Sequence, residues 1–170
     1  MANPLSDSFW QIIETARASN ENSNQSLEPE ALQDQLEEMS DEQVAQFARD
    51  FYQGLINLND WRLWGAGFVM AGGMGDDSFH YFRSWVIGRG QEAYETALND
   101  PDNLGKFADD EAEFDNELLE YVPLEVLEAR GVEEDPREEF DVTADDAPRG
   151  TPWDEESVYE LYPKLSARFG

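Results

Sequence analysis

The segment from Trp61 to Gly90 constrains the fold more than any other part of this sequence. Residues 61–106, which contain it, carry four basic and six acidic groups, whereas residues 1–60 carry two and twelve, and residues 107–170 carry five and twenty-one. The middle also holds eight of the twelve glycines and three of the five tryptophans. Because buried segments exclude unpaired charge, we interpret the middle as the core and the acidic flanks as its solvated covering.

Apolar residues recur at the three- and four-residue spacing of amphipathic helices through most of the chain. The spacing predicts helices that begin near Ser6 and Pro29, separated by a polar loop at 20–26. A longer helix is expected after Ser40-Asp41-Glu42-Gln43, which matches a capping box. Further helices are expected at 61–71, 78–89, 91–98, 114–121 and 123–130, and in the tail at 154–169.

This pattern predicts an all-α fold: a compact orthogonal bundle of about seven or eight helices around a central buried helix pair, in one domain spanning 1–170. The acidic, proline-bearing range 133–151 has no periodicity and is predicted to be a long loop or extended wrap. Gly65 and Gly67 lower helix propensity, so we expect another element to approach the helix closely there.

The turn Gly72-Gly73-Met74-Gly75 precedes the second of the central helices. It resembles a phosphate-binding loop only superficially, because no lysine follows and two aspartates occupy the place of the anion. We expect Asp76 or Asp77 to cap the following helix, and Gly90 to end that helix as a left-handed cap.

Several classes of function are disfavoured by composition. A net charge of −28 repels nucleic-acid backbones and anionic lipid surfaces. The chain has no cysteine, and its one histidine, His80, is expected to be solvent-facing, so we predict neither a metal site nor a cofactor. The longest weakly polar run, at 65–75, is too short to span a membrane. With no signal peptide visible at 1–4, we expect a cytoplasmic protein.

Arg83 lies on the apolar face of its predicted helix, so its guanidinium group is expected to be partly buried. A buried guanidinium requires a carboxylate partner or an aromatic face. The candidate partners are Asp50, Asp60, Asp76 and Asp77. Two interpretations remain open: a structural ion pair, or an arginine that recognises an anion in a cleft.

Trp61, Trp64 and Trp85 allow two interpretations as well. Aromatic residues at helical spacing are usually core residues, but these three could line a pocket for an aromatic or cationic ligand.

The order of these residues resembles a known family. The run Trp61-Arg62-Leu63-Trp64-Gly65-Ala66, the turn and helix start Gly72-Gly73-Met74-Gly75-Asp76-Asp77-Ser78-Phe79, and Phe82-Arg83-Ser84-Trp85-Val86-Ile87 with Gly90 are similar to the signature of the bacterial "domain of unknown function 4240" family. The sequence departs from that pattern at Gly75, where the family more often has serine. The resemblance implies a helical, stand-alone bacterial protein and supplies no activity or catalytic residue.

We therefore carry three hypotheses. The first is a non-catalytic binding or regulatory module that engages a basic protein partner through its acidic surfaces. The second is an enzyme or a small-ligand or anion binder whose cleft includes Arg83, Asp76, Asp77, Trp61 and Trp64. His80 and Trp85 complete the set of seven candidate binding residues. The third is a nucleic-acid mimic, which requires carboxylates in regular rows. Since every catalytic template fails, we lean against an enzyme and expect no catalytic residue; the oligomeric state is left open.

Overall fold

The computed structural model of the chain describes residues 4–20, 26–108 and 114–170. Within these ranges the chain is all-α, as predicted, and its only β pairing is one isolated bridge. The α-helices are α1 (Asp7–Ala18), α2 (Pro29–Glu37), α3 (Asp41–Asn57), α4 (Trp61–Ala71), α5 (Asp76–Gly88), α6 (Gln91–Asn99), α7 (Val122–Ala129), α8 (Val158–Leu161) and α9 (Pro163–Phe169). Three 3-10 helices span Pro101–Phe107, Glu117–Glu120 and Pro136–Glu139. The chain start at 1–3 and most of the predicted polar loop at 20–26 lie outside the described residues.

The nine α-helices found in the described ranges exceed the seven or eight expected. The tail forms two short helices instead of one, because Tyr162 precedes a proline and takes φ −129° and ψ 70°, outside the helical region. None of the helices in these ranges has the length and apolar character needed to cross a membrane.

The predicted helix starts are confirmed for α1 and α3. The Ser6 hydroxyl accepts a hydrogen bond from the Phe9 amide at the start of α1. At α3, the Gln43 amide donates to Ser40 Oγ and the Ser40 amide donates to Gln43 Oε1, which completes the capping box.

Helix α5 is buried on more than one face, as expected for a central helix; Phe79, Phe82, Trp85, Val86 and Ile87 are all in the core. The close approach predicted at the α4 glycines is confirmed. A Cβ on Gly65 would lie 2.6 Å from Tyr162 Oη and 2.9 Å from Trp153 Nε1, so the C-terminal tail packs directly on the α4 backbone.

The turn between α4 and α5 is tight, with φ of +71° at Gly72 and +133° at Gly73. The cap predicted for α5 is wrong: Gly75 is the N-cap, and Asp76 and Asp77 are the first two helical residues. Carboxylates at these positions interact favourably with the positive end of the helix dipole, but neither side chain accepts a capping hydrogen bond.

The left-handed cap predicted at Gly90 is also wrong, because its φ of +108° and ψ of 178° lie outside the left-handed helical region. Glycine is still favoured there, because residues with a side chain rarely adopt a φ of +108°.

Residues 143–149, here called the strap, belong to the predicted long acidic loop and contain no helix. They lie across the junction of α3 and α4. The Trp61 amide donates to Arg149 O at 2.8 Å, and the Arg149 amide donates to Asn59 O at 3.0 Å, which forms the parallel bridge between Asp60 and Arg149. The strap also contacts α5, where the Ala144 carbonyl accepts from Arg83 and the Asp145 carboxylate meets His80.

Candidate functional site

A cleft of about 430 Å³ opens between the strap and the helical wall made by α4 and the start of α5. Five of the seven predicted site residues line it: Trp61, Trp64, Asp76, Asp77 and Arg83. The other lining residues are Asn59, Phe79, Ala144, Asp145, Asp146, Ala147 and Pro148. The volume lies within the range of small-ligand pockets.

Stacked aromatic rings form the helical wall of the cleft. The rings of Trp61 and Trp64 lie 4.9 Å apart at 10°, and those of Trp64 and Phe79 lie 4.9 Å apart at 4°. The three rings thus form one stack with Trp64 in its middle, and all three residues line the cleft. Trp64 Nε1 donates to Met74 O at 2.9 Å, whereas Trp61 Nε1 has no hydrogen-bond acceptor among the described residues.

Arg83 forms the floor of the cleft and is 2% exposed. Its Nη1 donates to Leu55 O at 2.9 Å and to Ala144 O at 2.8 Å, and its Cζ lies 4.6 Å from the centre of the Phe79 ring. The aromatic contact was expected, but the predicted carboxylate partner is wrong. Leu55 lies in the last turn of α3, whose carbonyl groups have no intrahelical donor, so the guanidinium group satisfies backbone acceptors instead.

Burial lowers the pKa of Arg83 to about 10, and the nearby negative charge of Asp145 opposes that decrease. The group therefore remains a cation at neutral pH. It links the strap to α3 through the carbonyl groups of Ala144 and Leu55.

Four carboxylates surround the mouth of the cleft. Asp76 and Asp77 are exposed on the helical wall and have neither a hydrogen bond nor an ion pair from their side chains among the described residues. On the strap, Asp146 accepts from Thr143 Oγ1 at 2.9 Å, and Asp145 contacts His80. Two of the four carboxylates are thus free to meet a ligand.

His80 is not the solvent-facing residue that we predicted, because its side chain is only 14% exposed. Nε2 lies 2.7 Å from Glu120 Oε1, and Nδ1 lies 3.0 Å from Asp145 Oδ1. Glu120 also accepts from Arg137 Nη1 at 2.9 Å. The helical position of His80 suggested a polar face, but that face is covered by segments forty and more residues away in the chain.

Of the two interpretations left open for the tryptophans, Trp85 follows the core one, because it is buried and does not line the cleft. Its ring stacks on Phe82 at 5.7 Å and meets Phe114 edge-on at 5.3 Å, on the opposite side of α5 from Arg83. Trp85 comes two positions after Arg83, which places its side chain on nearly the opposite side of the helix, in the core.

A second cavity, of about 400 Å³, lies beside the strap and includes Arg62 and Arg149. Arg62 donates to Leu98 O in the last turn of α6, and Arg149 donates to Ile56 O in the last turn of α3. Both guanidinium groups therefore cap helix C-termini. No set of three His, Cys, Asp or Glu side chains within the described ranges could hold a metal ion.

Comparison with known proteins identifies a family. A family model described as "Protein of unknown function (DUF4240)" matches residues 5–129. No curated protein and no solved structure matches the chain. The matched range includes the helical wall and Arg83 but ends before the strap.

Proposed function

The chain belongs to the DUF4240 family, whose description assigns no activity, and we propose that it is a binding module whose cleft takes a cationic group. The ligand chemistry is a guanidinium or ammonium group. Its favoured source is a basic side chain of a protein partner. The observation that carries the proposal is the pair of exposed, unpartnered carboxylates of Asp76 and Asp77 at the mouth of an aromatic cleft.

The charge around the cleft supports a cation. Four aspartates line it against one arginine, and that arginine is almost completely buried and already bound to backbone carbonyl groups. An approaching anion would meet the aspartates first. The alkyl part of a lysine or arginine side chain would also contact the rings of Trp61 and Trp64, since such side chains bury their stems along apolar surface.

The rest of the surface supports a protein as the source of the cation. Residues 1–60 and 107–170 carry net charges of −10 and −16, far more than a small cation in one cleft would require. A field of that sign accelerates encounter with a basic protein and is screened by salt.

The test is calorimetric titration with two probes, methylguanidinium and an arginine-rich peptide. We expect both to bind and the peptide to bind more tightly, with an affinity that falls as salt is added. Stronger binding of methylguanidinium would assign the cleft to a small molecule instead of a protein.

The cleft variant carries Asp76→Asn and Asp77→Asn. Its matched control carries Asp34→Asn and Glu38→Gln, two exposed residues of α2 and its end that change the net charge equally and lie outside the cleft. We expect the cleft variant to bind the peptide roughly tenfold more weakly, which corresponds to about 1.4 kcal/mol, and the control to change little. Equal losses in both variants would reduce the cleft to part of a diffuse acidic surface and refute the proposal.

A further inference from the structure

His80 joins the cleft to a buried carboxylate behind it. Glu120, bound to Nε2, is 6% exposed, whereas the Asp145 carboxylate, bound to Nδ1, is 80% exposed and belongs to the strap. Asp145 also lines the cleft. The imidazole ring therefore contacts one of the four carboxylates that the proposed cationic ligand would meet.

Both ring nitrogens of His80 face carboxylate oxygens, and only the imidazolium form can donate at both positions. The hydrogen bond with Glu120 is the main reason that the pKa of His80 is raised above its ordinary value; burial and the charge of Arg83 oppose it, and Asp145 adds to the increase. Because this pKa is raised, the charged form of the ring, which neutralises Asp145, persists to higher pH than in a free imidazole, and the neutral form does not neutralise Asp145.

Other ion pairs and hydrogen bonds hold Glu120 and the backbone of the strap in place, but they do not hold the Asp145 carboxylate. Glu120 is bound by Arg137, which is bound in turn by Asp135, so it keeps its position when His80 loses its proton. The strap keeps its position too, because the Ala144 carbonyl still accepts from Arg83, and Asn59 Nδ2 still donates to Asp146 O. Among the described residues, Asp145 has no other cation within ion-pair distance, and its carboxylate is the group set free.

We infer that the proton on His80 and a cationic ligand in the cleft compete for the Asp145 carboxylate, so that the affinity of the cleft for cations increases as His80 deprotonates. This inference rests on the proposed function, because it specifies how occupation of the same cleft is controlled. By linkage, a bound cation must also make His80 easier to deprotonate.

The chain suits a direct test, since its one histidine gives one imidazole signal and no cysteine titrates nearby. The first measurement follows the His80 ring by NMR between pH 5 and 9 in the free protein. We expect Asp145→Asn to lower the pKa of His80, and Glu120→Gln to lower it further. An unchanged pKa in Asp145→Asn would refute the competition and leave the proposed function untouched.

The second measurement is the affinity for methylguanidinium, which stays charged throughout, at pH 5.5 and 8.5. We expect binding to tighten by about fivefold, the lower end of typical coupling between sites, and His80→Gln to remove the pH dependence. The Asp145→Asn variant should also bind methylguanidinium without pH dependence. Because this position is exposed, the variant provides the test if His80→Gln does not fold. Binding that is equally tight at both pH values in the native chain refutes the inference alone, whereas no binding at either pH refutes both it and the proposed function.

Discussion

The helical wall of the cleft and the strap that faces it are held by different forces. Trp61, Trp64 and Phe79 stack over a buried core, so their positions follow from the burial of apolar area. The strap buries one small side chain, Ala144, and is held mainly by hydrogen bonds to its backbone. A segment with few buried apolar contacts opens more easily than the core, so the two walls should respond differently to substitution.

Arg83 joins the two walls, and its substitution should have the largest effect. Arg83→Met keeps most of the volume but leaves Leu55 O and Ala144 O without a donor, so we expect the free energy of unfolding to fall by about 3 kcal/mol. Urea denaturation measures this. Arg62→Met, at an exposed arginine with one backbone hydrogen bond, is the control and should cost less than about 1 kcal/mol. Similar losses in the two variants would mean that Arg83 does not link the walls.

Gly65→Ala should disturb the helical wall without touching the strap. The new Cβ would lie 2.6 Å from Tyr162 Oη, so the tail must move away from α4, at a cost of about 2 kcal/mol. Gly75→Ala is the control, because no atom lies within 4 Å of a Cβ there and its φ is −84°. Thermal or urea unfolding distinguishes the two, and an unchanged stability in Gly65→Ala would show that the tail packs elsewhere.

Tyr52→Phe should disturb the strap without touching the helical wall. The Ala144 amide donates to Tyr52 Oη at 3.1 Å, and its loss should cost about 1 kcal/mol and speed hydrogen exchange at that amide. Tyr159→Phe removes a hydroxyl that has no hydrogen-bond partner among the described residues, and it should leave both quantities unchanged. If exchange at Ala144 is as slow in Tyr52→Phe as in the native chain, the strap is held by something other than these polar contacts.

Gly75→Ser should stabilise the start of the helical wall. Gly75 is the N-cap of α5, with an extended backbone (ψ −175°) and open space around it, so a serine hydroxyl can accept from the first turn. We expect a gain of about 0.5 to 1 kcal/mol in the free energy of unfolding. A loss of stability would show that the glycine is required for a reason other than its backbone geometry.

The sequence predicted the helical wall better than the strap. Helical spacing brought Trp61 and Trp64 to one face, and the glycine pair at 65 and 67 correctly indicated a close neighbour. Burial of Arg83 also followed from its position on an apolar face. These predictions succeeded because each depends on residues within a few turns of one another.

Two predictions about the site, for His80 and for the partners of Arg83, failed because they depended on contacts distant in the chain. His80 was expected to face solvent because nothing near it in the sequence suggested Glu120, Arg137 or Asp145 as neighbours. The partners of Arg83 were sought among carboxylates, although backbone carbonyl groups, which every residue carries, were the ones available. No sequence pattern reports which helix end will lack donors.

By itself, the sequence determined the all-α class, the helical order, the nearly neutral segment between acidic flanks and the family of the chain. Local spacing and charge suffice for these, because helix formation and burial are governed by neighbouring residues. Only the tertiary structure decided that the acidic loop returns over α5 as a strap and turns the Trp61 segment from packing core into one wall of a cleft. That outcome depends on hydrogen bonds between Arg83, the end of α3 and the strap, which join residues up to sixty-one positions apart.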